Sequence, residues 1–75
     1  MSEDRVVALE IALKTVMAIA RNKGLDIDEL CRDSIGAIIA DPTMKWVKPD
    51  HVQNSIIEIE AAKKVIARRK SASAQ

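Results

Sequence analysis

The sequence predicts an all-α fold, a compact three-helix domain in the order long, short, long, and three observations predict it. The 75 residues include only two Gly and two Pro, too few for a chain of hairpins and tight turns. Gly24, Pro42 and Pro49 fall between or at the edge of stretches whose apolar positions recur at helical spacing. Hydrophobic residues make up 48% and charged residues 31%, a balance typical of a packed globular chain.

The first helix is expected from about Glu3 to Lys23. Ser2 can cap it, and Glu3 and Asp4 suit the positive end of its dipole. Gly24 follows Arg21-Asn22-Lys23, the usual order at a helix C-terminus. Glu10 and Lys14 stand four apart in the favourable orientation. The second helix is expected to begin after Asp26, which with Glu29 has capping-box spacing. It must end by Ala40, because Asp41-Pro42 disfavours continuation. Ile27, Leu30, Cys31, Ser34, Ile35 and Ile38 share one face, and Asp28, Glu29, Arg32, Asp33 and Gly36 share the other. A connection runs from Asp41 to Lys48. Pro49 then suits the first position of a third helix that continues to about Lys70. Val47 and Val52 have hydrophobic-staple spacing, and Asp50 suits a helix start. One domain is expected over residues 1–70, with 71–75 a disordered tail.

The composition excludes whole classes. Cys31 is the sole cysteine, so no intramolecular disulfide can form. The longest apolar run, Val16 to Ala20, is far short of the ~20 residues of a membrane span. The first residues are acidic and lack a secretory signal's basic region. A cytoplasmic setting with no membrane partner is therefore expected. The formal charge of +1 divides into −2 over residues 1–33 and +3 over residues 34–75. Neither value announces a nucleic-acid or membrane partner.

The most informative feature is a surplus of aliphatic stripes. At ~100° per residue, the main arc of the first helix holds Val6, Leu9, Ala12, Leu13, Val16, Met17, Ile19 and Ala20. Val7, Ile11 and Ala18 fall on its otherwise polar side. The third helix has a main stripe of Val52, Ile56, Ile59 and Ile66 and a second line of Ile57, Ala61 and Val65. One neighbouring surface cannot bury both lines of either helix. Burying a Val or Ile side chain contributes about 1.5–3 kcal/mol, while a domain this small keeps only a few kcal/mol of net stability. A two-fold homodimer burying Val7, Ile11, Ala18, Ile57, Ala61 and Val65 is the expected solution. The plainer alternative is scattered surface aliphatics, which are common.

No catalytic constellation is present. Cys31 and His51 are the one thiol and imidazole pair. Cys31 lies on the apolar face of the second helix, where a free cysteine acts as a small hydrophobe, and His51 reads as a surface residue. A zinc site needs four ligands, and Cys and His supply one each. Glu10, Glu58 and Glu60 lack the His spacing of a di-metal carboxylate site. Gly24 and Gly36 form no phosphate loop. No metal and no cofactor are therefore expected. Lys63, Lys64, Arg68, Arg69 and Lys70 can be read as phosphate contacts for nucleic acid, as a solvated helix end favoured by the dipole, or as a patch for an acidic protein. Trp46, with Met44 and Lys45 beside it, reads either as a lid on the core or as a binding anchor.

The stretch from Arg21 to Leu30 resembles the junction of helices 1 and 2 in phage-repressor-type helix-turn-helix domains, and Lys48-Pro49 falls near where such domains often carry a Pro before a later helix. That family next requires a recognition helix with polar and basic residues outward. Here the chain reads Ile35-Gly36-Ala37-Ile38-Ile39-Ala40-Asp41-Pro42, apolar and then broken. No base-contacting residue is carried over. The expectation is a non-enzymatic homodimeric adaptor, inhibitor or regulator that binds a further protein through Met44, Lys45 and Trp46. The alternative is a small DNA- or RNA-binding regulator using the basic end of the third helix.

Overall fold

The computed structural model describes residues 3–69. Helix α1 spans Glu3–Asn22 and α2 spans Ile27–Ala40; a single 3-10 turn at Pro49–His51 leads into α3, Val52–Arg68. Ser2, Lys70 and the expected tail, 71–75, lie outside the described residues.

Each boundary has a local chemical cause. Gly24 takes φ 96°, the left-handed region that its missing Cβ makes accessible. The Gly24 N–H donates to the Arg21 carbonyl at 3.0 Å, and the Leu25 N–H donates to the Ala20 carbonyl at 3.1 Å. This pair of bonds is the Schellman arrangement, and it satisfies carbonyls that the ended helix leaves over. At the next start, Asp26 is extended and its Oδ1 accepts from the Glu29 N–H at 3.1 Å, the cap expected from its spacing. Asp41 closes α2 in an extended conformation, as a residue before proline must. The Asp41 carboxylate then accepts from both the backbone N–H and the hydroxyl of Thr43.

The third helix differs from expectation at its start. Pro49, Asp50 and His51 form a 3-10 turn rather than the first α-turn, and no side chain caps either segment. Asp50 therefore sits inside the turn and is not a cap. Tight turns of this kind are common where an α-helix begins, and proline fits their φ.

The packing is asymmetric. Helix α3 lies against both α1 and α2, whereas α1 and α2 meet only slightly. Arg21, at the end of α1, donates to the carbonyls of Ile66 and Arg69 at the end of α3, so α1 and α3 run in the same direction. Lys63 of α3 reaches Asp28, at the start of α2, at 3.3 Å, so α2 runs opposite to both. The core is Met17 from α1, Cys31 from α2, and Ala62 and Ile66 from α3. Leu13, Ala18, Ile27 and Ile59 are partly buried against it.

This geometry corrects the expected role of the main α1 arc. Only Met17 of that arc is buried, and Leu13 and Ala20 are half-buried. Leu9, Val16 and Ile19 remain 50%, 69% and 49% exposed. With α2 largely absent from its side, α1 has one neighbour to cover it. The α3 stripe does better, because two helices flank it: Ile66 is buried and Val52, Ile56 and Ile59 are half-buried.

Truncating Ile66→Ala is expected to cost about 2–5 kcal/mol, enough to bring so small a domain close to unfolding. Asp26→Ala is expected to cost about 1 kcal/mol through loss of the cap, and Gly24→Ala about 1–2 kcal/mol through left-handed strain. Urea-denaturation midpoints followed by circular dichroism give all three values.

Candidate interaction surface

The surface that distinguishes this molecule is apolar. Among the described residues, Val6, Val7, Leu9, Ile11, Val16, Ile19, Leu25, Ile39, Trp46 and Ile57 are all large, hydrophobic and exposed. Six of these ten belong to α1, which follows from that helix having a single close neighbour.

The six residues expected to form a dimer seam occupy different surroundings. Val7, Ile11 and Ile57 are exposed. Ala18 packs against the chain's own core. Ala61 and Val65 border a small crevice between α1 and α3, facing Glu10, Leu13 and Lys14. Thus the second line of α3 partly serves the α1–α3 contact within one chain. A different α1 line is left uncovered: Leu9, Ala12, Val16 and Ile19, all exposed and spaced three, four and three residues apart. Their spacing was visible in the sequence. Their exposure was not, because it depends on which side of α1 receives α3.

Trp46 is 74% exposed. The lid reading is therefore corrected: the indole does not close the core. The connection that carries it is tied to itself, the Met44 N–H donating to the Asp41 carbonyl and the Val47 N–H to the Met44 carbonyl, both at 3.1 Å. Met44 and Val47 are half-buried, while Lys45 and Trp46 project outward. Successive turns thus hold the backbone and present the ring to solvent.

The basic end of α3 is divided. Lys63 is engaged by Asp28, an exposed pair whose stabilising contribution is at most about 1 kcal/mol. Lys64, Arg68 and Arg69 are exposed. A groove of about 370 Å³, absent from the sequence reading, runs between the first halves of α1 and α3. Val6, Leu9 and Leu13 form its apolar wall, and Glu10, His51, Asn54 and Glu58 contribute polar groups. His51 lines this groove, whereas Cys31 lies in the core.

Cys31 is buried. Burial pushes its thiol pKa up, and Asp28 and Glu60 add to that effect, while Lys63 opposes it. Low reactivity follows, since the thiolate is the nucleophile. The hydrogen bonds from Thr43 hold the Asp41 carboxyl below its ordinary range. Among the described residues, no three His, Cys, Asp or Glu side chains gather as metal ligands would. No helix among them is long and apolar enough to cross a membrane.

The fold and surface define a small three-helix all-α domain with excess aliphatic surface. No family model matches the chain, and no curated protein or solved structure matches it either.

Three outcomes follow from these placements. Trp46→Ala should change stability by no more than about 0.5 kcal/mol, as surface substitutions generally do; urea denaturation followed by circular dichroism checks this. Cys31 should resist maleimide in the native protein and react rapidly in urea. Its folded-state pKa is raised, so its contribution to stability is complete below the unfolded thiol value and is lost as pH rises through the folded value. Alkaline denaturation of wild type against Cys31→Ala measures that loss, which the variant lacks.

Proposed function

We propose that this chain is a non-enzymatic interaction protein, an adaptor, inhibitor or regulator, that works as a cytoplasmic homodimer and binds a further protein. The observation that carries the reading is the ratio of uncovered to covered aliphatic side chains. Among the described residues nine large aliphatic side chains and Trp46 are exposed, against Met17, Ala62, Ile66 and the Cys31 thiol buried in the core. Isolated surface aliphatics need no explanation, but so many on so small a chain amount to an interaction surface or a solubility hazard. Trp46, held outward by a turn-locked backbone, suits the anchor role that tryptophan often takes at interfaces. Its neighbours Lys45 and Lys48 favour an acidic face on the protein that receives it.

A second reading, a small nucleic-acid-binding regulator, draws on the exposed Lys64, Arg68 and Arg69. It has fewer supports, because Lys63 is already paired with Asp28. Nucleic-acid binding that weakens steeply with salt would favour it, and no binding at low salt would remove it.

Light scattering across a dilution series tests the leading reading. The expected result is twice the 8.2 kDa chain mass at micromolar concentration, falling toward the single-chain value on dilution. A single-chain mass at high micromolar concentration overturns the homodimer.

A further inference from the structure

We infer that the groove between the first halves of α1 and α3 receives Trp46 of a second copy of this chain, and that the exchange is reciprocal, each copy giving one indole and taking one. This inference rests on the homodimeric reading and assigns its contact. The groove combines two chemical characters. Val6, Leu9 and Leu13 line it with apolar surface, and Glu10 of α1 and Glu58 of α3 bring a carboxylate to it from each helix. Among the described residues neither carboxylate has an ion-pair partner; Lys14 borders the adjoining crevice with both and pairs with neither. The volume of about 370 Å³ lies within the range of about 300–1,000 Å³ typical of sites that hold small organic groups. The fitting occupant is an apolar group of ring size that carries positive charge beside it.

The connection between α2 and α3 answers that description. Trp46, the chain's sole aromatic residue, is the most exposed large hydrophobic side chain among the described residues. Lys45 and Lys48 beside it are exposed as well. Ring and groove wall are both wet in a single chain, and an indole buries about 150–250 Å² when enclosed, so docking removes two apolar surfaces from water at once. Two ammonium groups then meet two carboxylates, which fixes the orientation of the contact. Trp46 takes no part in lining the groove of its own chain. Its loop is held by the turns described above and by the Lys45 N–H, which donates to the Thr43 carbonyl at 2.9 Å, so the ring is presented outward to another copy. Only four residues separate Trp46 from His51, which lines the groove. Ring and groove therefore lie close together on each copy, as a two-fold axis requires if both contacts are to form together and close the assembly.

The test uses the indole as its own reporter and then exchanges the charges. Across a dilution series, emission from Trp46 should move to shorter wavelength, and its quenching by acrylamide should fall, over the same concentrations at which light scattering shows the mass doubling. Glu10→Lys with Glu58→Lys in one chain, and Lys45→Glu with Lys48→Glu in another, should each raise the dimer dissociation constant tenfold or more, on the order of the cost of like charges brought together. An equimolar mixture of the two charge-reversed chains should pair again, because each groove then faces a loop of opposite sign; a folding defect cannot be repaired in this way. All four positions are exposed in the single chain, so helicity by circular dichroism should persist in both variants. Trp46→Ala should leave the urea midpoint of the dilute single chain in place, and wild type should gain on it only at concentrations where copies pair. A dimer whose indole stays as open to acrylamide as in the single chain, or one that survives both charge reversals, or a mixture that fails to pair, overturns this contact yet leaves the homodimer standing. A wild type that is a single chain at high micromolar concentration removes the homodimer and the contact together.

Discussion

Everything in this molecule depends on α3 having to serve two neighbours at once. Helices α1 and α2 touch each other little, so each relies on α3 for most of its shelter. A helix flanked on two sides can bury a broad stripe, and Val52, Ile56, Ile59 and Ile66 are all at least half-buried. A helix flanked on one side cannot. The aliphatic excess of α1 is the direct consequence, and it is an excess of geometry more than of composition.

The core accounts for why the arrangement holds despite its small size. Cys31 and Ala62 are compact side chains, each only 2% exposed, and they let α2 and α3 approach closely with little bulk between them. The absence of Phe and Tyr denies the chain the large rings that usually dominate a core. Polar ties make up part of the difference. Arg21 is half-buried and spans from the last turn of α1 to the carbonyls of Ile66 and Arg69. Both carbonyls sit where α3 ends and helical partners run short; the Ile66 carbonyl also accepts from the Arg69 N–H at 3.3 Å. One guanidinium thus satisfies a helix terminus and fixes the direction of α1 along α3. Lys63 and Asp28 do the corresponding task between α3 and α2, with weaker effect because both are solvated.

What could be read from the residues alone divides along the same line. The helix ends at Gly24, Asp26 and Asp41-Pro42 were legible because their causes are local: a left-handed backbone, a carboxylate cap and a restricted residue before proline. The face of α2 was legible because its polar and apolar sides separate cleanly. Two features were not. The 3-10 turn at Pro49–His51 is a small backbone adjustment that periodicity does not encode. The division of α1 between covered and uncovered lines depends on where α3 sits around it, which no property of α1 specifies. The main arc of α1 was apparent; the side α3 takes splits it, covering Leu13 and Met17 and leaving Leu9, Val16 and Ile19 exposed, with Val7 and Ile11 exposed as well. Trp46 presents the same difficulty, since a loop tryptophan beside Met44 and Val47 can fold inward or outward with no change of sequence.

The leftover line also bears on stability. Helix α1 has one close neighbour and a Schellman closure at one end, so in a single chain its first turns have the least to hold them. A helix in water draws most of its stability from an apolar face packed against something. Anything that covers Leu9, Val16 and Ile19 therefore strengthens α1 itself as well as joining two bodies, and association and folding become one coupled equilibrium.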